Sequence, residues 1–196
     1  MLKLVRPSAK YLKSALAACK EFVSNTETSN TICSVDKMIQ MLPDNAEQYF
    51  YQLYTEEKGI NLKPNYVSQT TFWLLDNEEY IGTFTLRHDL TEHLKEIGGH
   101  IAYQIKPSKQ KQGYATKGLL LCLNEALKIG LEQVLITCKE NNIASYKVMQ
   151  KAMLKMGGQE IEPSITDGQK NHRIWIKTQE HHYSKQTIDP SHHHQR

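Results

Sequence analysis

The stretch with the clearest chemical potential is a polar loop that follows an apolar, strand-like run. The loop runs from Lys106 to Gly113, carries three lysines and leads into a long apolar run that begins at Ala115. Backbone N–H groups in the first turn of a helix have no acceptor within the helix and favour negative charge in front of them. A strand, a basic loop and a helix start in this order predict a binding site for a phosphate or diphosphate group.

The number and spacing of the glycines distinguish between the known kinds of phosphate-binding loop. A nucleoside-triphosphate P-loop requires a Gly-Lys-Ser/Thr sequence, which the chain lacks. A dinucleotide fingerprint requires three glycines, and this loop has one. What remains is Gln110-x-x-Gly113-x-Ala115, in which the glycine allows the backbone to approach a ligand closely. Lys109 and Lys111 are expected to attract the phosphates electrostatically.

The loop and its surroundings resemble the GNAT superfamily, N-acetyltransferases that use acetyl-CoA and carry the signature Arg/Gln-x-x-Gly-x-Gly/Ala. The resemblance extends from about Tyr80 to Ile176. Within it, the chain is similar to a subgroup of bacterial acetyltransferases with a Gly-Gly-His strand and an Asn-Ile-Ala-Ser helix start. The segments that carry the likeness are Gly98–Tyr103, Gly113–Thr116, Leu135–Cys138 and Asn141–Ser145.

The resemblance implies that the loop binds the pyrophosphate of coenzyme A and that the strand before it splays from its neighbour. The open backbone of that strand would bond the pantetheine arm and polarise the thioester carbonyl. Asn142 would contact the pantetheine arm or hold the strands apart, although an asparagine before a helix is also typical of a plain N-cap. The residues implied in binding acetyl-CoA are Tyr103, Gln104, Ile105, Gln110, Lys111, Gln112, Gly113, Tyr114, Ala115, Thr116, Asn142 and Ser145.

The groups that would transfer protons are less clearly marked. An attacking amine must lose a proton to a base of near-neutral pKa or to a water chain. Many family members use a glutamate on the strand before the loop; here Glu96 and His100 flank the paired glycines and are the candidate bases, with a structural role as the alternative. Family members often use a tyrosine seven residues after the asparagine as the acid, but Met149 stands there. Tyr146 is therefore the candidate acid, and unassisted departure of the thiolate is the alternative.

Apolar periodicity predicts an α+β fold, and the resemblance implies a mixed, mostly antiparallel sheet flanked by helices, with a splayed strand pair. An aromatic stripe on the third predicted helix, Tyr49 to Tyr54, packs in the core or lines an acceptor pocket. The predicted strands are Leu2–Val5, Tyr66–Leu75, Tyr80–Leu86, Gly99–Ile105, Val134–Thr137, Gln159–Ile161 and Arg173–Ile176. The predicted helices start at Ser8, Val35, Asp44, Ala115 and Asn142.

The domain organisation follows from these elements. Residues 1–178 are expected to form a single N-acetyltransferase domain. Within it, residues 1–65 supply a strand and acceptor-side helices, and residues 66–178 supply the acetyl-CoA-binding core. Residues 179–196 lose the apolar pattern, carry five histidines and are expected to form a flexible tail.

Composition narrows the class of protein. A net charge of +3 with dispersed lysines and arginines argues against nucleic-acid binding, and no apolar run is long enough to span a membrane. The four separated cysteines predict free, buried thiols in the cytoplasm, and no metal-ligand spacing is present. We therefore expect a cytoplasmic monomer or homodimer that acetylates a primary amine of a small molecule or peptide. The alternative is a catalytically silent acyl-CoA-binding regulatory module.

Overall fold

The computed structural model describes residues 1–25 and 32–179, and these form two antiparallel sheets covered by helices. The first sheet has the order β1-β2-β3-β4, and the second has the order β5-β7-β6. The strands are β1 (Leu2–Val5), β2 (Gln69–Asp76), β3 (Glu79–Arg87), β4 (Ile101–Ile105), β5 (Gln133–Lys139), β6 (Gly158–Thr166) and β7 (Gln169–Lys177). The helices are α1 (Leu12–Ser24), α2 (Cys33–Met41), α3 (Ala46–Lys58), α4 (Glu92–Glu96), α5 (Tyr114–Lys128) and α6 (Ile143–Met156).

The first sheet has a hydrophobic core on each face. On one face, α5 packs against β3 and β4, and the cluster continues beneath α6. On the other face, α1, α2 and α3 pack around Trp73 and Tyr80. Tyr49 of the aromatic stripe is fully buried and stacks on Trp73, whereas Tyr54 is exposed to solvent. Tyr49 therefore packs in the core, Tyr54 does not, and no residue of the stripe lines the cavity described below.

The splayed strand pair is formed by β4 and β5. The two strands meet at one point, where the His100 N–H donates to the Leu135 carbonyl at 2.7 Å. A Cβ on Gly99 would lie 2.4 Å from that same carbonyl oxygen, so only glycine allows this approach. No ladder joins β4 to β5 among the described residues. Every strand pair that does form is antiparallel, so the predicted mixed sheet is replaced by two antiparallel sheets that part at this junction.

The fold confirms the predicted α+β class and most element positions, with local corrections. The β2–β3 hairpin turns at Asn77 and Glu78, as predicted. The second strand begins at Gln69 rather than Tyr66. Ser8 starts a 3₁₀ turn without a side-chain cap, so the first α-helix begins only at Leu12.

A further correction concerns the cysteines. All four cysteines are free, as predicted, but Cys33 is exposed because it begins α2 at the protein surface. Of the predicted tail, residues 180–196 lie outside the described residues.

Candidate active site

The predicted phosphate loop connects the end of β4 to the N-terminus of α5. Pro107–Lys109 form a 3₁₀ turn, and both Lys111 (φ 59°) and Gly113 (φ 82°) adopt left-handed backbone. Gly113 occupies the N-cap position of α5, and no side chain caps the helix. A Cβ on Gly113 would meet no protein atom within 4 Å, so the space in front of the helix is open. Left-handed residues before an uncapped helix orient N–H groups into a concavity that suits an anion.

The loop is held in place by side chains that bond back to the fold. Gln110 donates through Nε2 to the Ile105 carbonyl at 3.1 Å, and Gln112 donates to the Ser108 carbonyl at 3.0 Å. Ser108 in turn donates its hydroxyl to Glu21 of α1 at 3.0 Å. The N–H groups of Ser108, Lys109 and Gln110 have hydrogen-bond acceptors as well, so both side chains and backbone hold this part of the loop in place.

Two of the three loop lysines are committed to ion pairs. Lys106 and Lys109 bond the Glu79 carboxylate at 2.7 and 2.9 Å, and these hydrogen bonds lower the pKa of Glu79. The predicted attraction of Lys109 for phosphate therefore competes with Glu79. Lys111 has no described partner and is the loop cation that faces a ligand without competition.

The β4 strand presents backbone groups to the gap beside β5. Its partner β3 bonds alternate residues, since the Arg87 N–H donates to the His100 carbonyl and the Lys106 N–H donates to the Ile81 carbonyl. Alternation in an antiparallel pair then directs the backbone of Tyr103 and Ile105 away from β3. Gln104 lies between these two residues, so its backbone groups are directed toward β3 and belong to the β3–β4 ladder.

Gln104 instead connects the two halves of the site through its side chain. Its Oε1 accepts the Ile32 N–H at 2.8 Å, just before α2 begins. This bond ties the strand of the donor site to the helix that forms a wall of the neighbouring cavity.

Asn142 and Ser145 lie at the start of α6, across the gap from β4. Asn142 Oδ1 accepts the Ser145 N–H at 3.0 Å, so this side chain forms the N-cap that was its alternative interpretation. Ser145 Oγ lies 2.9 Å from the hydroxyl of Tyr103, whose pKa burial raises. This hydroxyl pair brings β4 and α6 together, and sequence reasoning had no long-range signal for it.

His100 is buried at the point where β4 and β5 meet. Its Nδ1 accepts the Leu135 N–H at 2.9 Å, and its ring lies edge-on to Trp175. Burial lowers the pKa of His100 to about 4. The neutral ring thus replaces a ladder bond between the strands, which is the structural role named as its alternative.

The other two proton-transfer candidates have carboxylate or guanidinium partners. Glu96 lies 3.2 Å from Arg173 of β7 and is half-exposed. Tyr146 donates its hydroxyl hydrogen to Glu160 at 3.0 Å and stacks on His172, and the bond to Glu160 raises its pKa. The structure brings neither side chain into the cavity lining, and their catalytic roles stay predictions.

A cavity of about 1130 Å³ opens on the face of β4 opposite α5. Ala102 forms part of its wall, and the next residue along β4 is Tyr103, whose backbone faces the gap. Other parts of the wall come from the start of α2, the segment around Tyr66 and the α4 region. Sequence reasoning missed the polar residues of this wall, among them Ser34, Thr85 and Arg87. Only the parity of Thr85 and Arg87 along β3 pointed to a shared face.

The described residues also bear on two other classes of protein, metal-binding and membrane-spanning. Within residues 1–25 and 32–179, no three His, Cys, Asp or Glu side chains gather as a metal site would require. No helix in the same ranges combines the length and the apolar character of a membrane span.

Comparison with known proteins identifies the family. Residues 15–155 match the family model described as "Acetyltransferase (GNAT) domain". The uncharacterized N-acetyltransferase YnaD of Bacillus subtilis (strain 168) is 31% identical over 86 residues, which are 43% of this chain and 48% of YnaD. The alignment thus spans about half the length of this curated relative.

Two solved structures share the fold at low sequence identity. Aminoglycoside acetyltransferase AAC(6')-Ib, in complex with ribostamycin and coenzyme A, superposes with a TM-score of 0.60 at 15% identity, over 90% of this chain and 93% of that one. RimL, a ribosomal L7/L12 alpha-N-protein acetyltransferase in complex with coenzyme A, gives 0.59 at 13% identity, over 90% and 94%. The chain belongs to the GNAT acetyltransferase family, and its fold is that of these acyltransferases.

Proposed function

We propose that the protein transfers the acetyl group of acetyl-CoA to a primary amine bound in the cavity beside β4. The proposal rests on one observation: the features that would bind the two substrates adjoin each other along β4. An uncapped helix start and an open strand edge lie on one side of β4, and a large cavity lies on the other. The two substrates of an acetyl transfer would meet at Tyr103.

The structural features of the loop and of β4 suit the binding of coenzyme A. The open space in front of Gly113 and the N–H groups of Tyr114, Ala115 and Thr116 suit a pyrophosphate. Gln110 and Gln112 brace the loop, and Lys111 adds a positive charge. The pantetheine arm would lie along β4 and bond the Tyr103 and Ile105 backbone as an added strand would.

The chain's own groups would assist the chemistry in two ways. The Tyr103 N–H would polarise the thioester carbonyl and stabilise the oxyanion formed as the amine attacks. His100 would fix the angle between β4 and β5 and thereby position that N–H. His100 and Glu96 remain the proposed bases from the sequence, and Tyr146 the proposed acid.

The acceptor is a primary amine of a small molecule or a peptide. Both kinds occur among the structural relatives, one of which is complexed with ribostamycin while another is a ribosomal protein acetyltransferase. The cavity beside β4 is large enough for either a small molecule or a peptide terminus.

The donor site is tested with a matched pair of glycine variants. Gly113 and Gly130 have left-handed φ angles of 82° and 86°, and a Cβ at either one meets no atom within 4 Å. Gly113→Glu and Gly130→Glu therefore introduce equal backbone strain, but only the first places a carboxylate where the pyrophosphate would bind. Acetyl-CoA at a hundredfold excess over its Kd should stabilise the wild type by about 2.7 kcal/mol, or roughly 5–10 °C in Tm.

We expect the Gly130→Glu protein to keep this shift and the Gly113→Glu protein to lose it. Equal shifts in both variants would contradict the assignment of the loop. Thiol release with a panel of amines then separates an enzyme from the silent module, which would bind acetyl-CoA without releasing thiol from it.

A further inference from the structure

The cavity beside β4 contains a guanidinium whose charge is not balanced by any carboxylate in the described part of the chain. Arg87, the last residue of β3, donates through Nη1 to the carbonyls of Gly98 and Gly99 at 3.1 and 2.9 Å. Among the described residues, no carboxylate lies within 4.0 Å of this side chain. Burial lowers the pKa of Arg87, as expected for a cation that has lost water without gaining an anion.

The remaining donors of Arg87 form the fork that recognises carboxylates and phosphates. A guanidinium has five N–H groups in one plane, and Nη1 accounts for two of them. The Nε–H and the two Nη2–H groups have no acceptor among the described residues, and Arg87 lines the cavity. Adjacent N–H groups of this kind bind an anion in bidentate fashion.

A second, independent group of donors belongs to two residues of the same cavity wall. Ser34 Oγ and Thr85 Oγ1 are fully buried without a hydrogen-bond partner, although each residue lines the cavity and is at least nine-tenths buried. Ser34 lies in the first turn of α2, whose N-cap residue Ile32 provides no side-chain cap. Buried hydroxyls are rarely left unpaired, so both point to a ligand with acceptor atoms.

The acidic residue of the cavity wall does not offset this charge. Glu92 of α4 lines the cavity, but it is exposed and its carboxylate pairs with Lys95 at 2.6 Å. The interior of the cavity is therefore positive and rich in donors, whereas a cavity for a polycationic amine would need carboxylates.

We propose that the amine acceptor carries an anionic group, a carboxylate or a phosphate, which binds Arg87, Ser34 and Thr85. This proposal rests on the acetyl transfer proposed above and names its substrate class. Tyr103 lies three residues beyond His100 on β4, or roughly 10 Å at the rise of a strand. Arg87 contacts the chain just before His100. The amine and the anion of the acceptor are thus about 10 Å apart, the length of a tripeptide.

The test compares acceptors that differ only at the far end. Triglycine and triglycine amide share the same α-amine, and only the amide lacks an anion; 6-aminohexyl phosphate, whose alkylamine is more basic, is compared with 6-aminohexan-1-ol. We expect kcat/KM for triglycine to exceed that of its amide, or kcat/KM for the phosphate to exceed that of the alcohol, by tenfold or more, mainly through KM. Whichever anion is preferred, carboxylate or phosphate, identifies the anionic group of the acceptor. Glycine, whose amine and carboxylate share one carbon, should be a poor substrate.

Substitutions in the cavity wall test whether the preference for an anionic acceptor arises there. Arg87→Met should abolish the discrimination between triglycine and its amide, and Ser34→Ala and Thr85→Val should reduce it while leaving the Arg87 bonds to the backbone intact. Lys128→Gln removes a cation that pairs with Glu125 at the end of α5, on the face of the sheet opposite the cavity, and should leave the preference unchanged. Melting temperatures of all variants show whether a loss reflects unfolding.

Two results would overturn this proposal without touching the acetyl transfer. One is equal turnover of triglycine and its amide by the wild type. The other is transfer to uncharged amines combined with no thermal protection by either anionic acceptor in the presence of coenzyme A. If no amine releases thiol, the proposed function fails, and thermal protection by the anions over the amide still decides whether the cavity binds them.

Discussion

The contact between His100 and Leu135 predicts a specific dependence of stability on pH. His100 is 5% exposed and its Nδ1 accepts a backbone N–H, so the folded protein holds the ring neutral. Protonation would convert this acceptor into a donor that faces another donor. Burial lowers the pKa to about 4 from an ordinary value of 6.5.

The direction of this pH dependence follows from the number of protons that the folded and unfolded states bind. Between about pH 4 and pH 6.5 the unfolded chain protonates this histidine and the folded chain does not, so stability falls as the pH is lowered through this window. The difference of 2.5 units corresponds to a limit of about 3 kcal/mol, of which about 2 kcal/mol would be lost between pH 7.5 and pH 5. This is a large part of the stability of an ordinary domain.

Urea unfolding of the wild type and of His100→Asn at both pH values isolates this contribution. Asparagine places an amide oxygen near the position of Nδ1 and can accept the Leu135 N–H, but it does not titrate. Every other titrating group, His88 included, cancels in the comparison. We expect the wild type to lose about 2 kcal/mol more than the variant. Equal losses would refute the neutral, buried histidine.

The same variant separates the two roles considered for His100. A residue that only joins β4 to β5 can be replaced by asparagine with a change in kcat of a few fold. Loss of a general base lowers kcat by about 10²–10⁴-fold. A loss of that size in a stably folded His100→Asn protein would establish His100 as the base.

Two more variants test the packing of α5 and the candidate acid. Gly118→Ala places a Cβ 2.4 Å from the Phe84 ring, which is stacked on Tyr103, so unfolding in urea should show a loss of about 1–3 kcal/mol despite the better helix propensity of alanine; an unchanged midpoint would contradict this packing. Tyr146→Phe tests the proposed acid, whose hydroxyl bonds Glu160: loss of a general acid should lower kcat by about a hundredfold or more, and a loss below about threefold would instead favour unassisted departure of the thiolate.

The strand, loop and helix start of the proposed donor site could be predicted from the sequence because their determinants are local. The strand, the loop and the helix start follow one another within 101–116, and each has its own signal: alternation, a glycine and apolar periodicity. The same locality explains the accurate start of α5 at Tyr114, one residue before the predicted Ala115.

The charges of the loop could not be predicted, because their partners are distant in the sequence. Glu79, which pairs with Lys106 and Lys109, lies in the β2–β3 hairpin and reaches the loop only through the register of β3 and β4. Likewise, alternation placed His100 on the face opposite Ile101 and Ile105. It gave no reason for the ring to replace a hydrogen bond between two strands that do not otherwise pair.

The acceptor side shows why the identity of an amine substrate is harder to read than that of its acyl donor. A pyrophosphate is recognised largely by backbone N–H groups, which one loop and one helix start supply. An amine acceptor is recognised by side chains, and the cavity wall draws these from α2, β3, β4 and α4. No single stretch of sequence contains all of these side chains. The unbalanced charge of Arg87 becomes visible only when the carboxylates of the described residues have been placed around it, and our proposal of an anionic amine rests on this charge balance rather than on a motif.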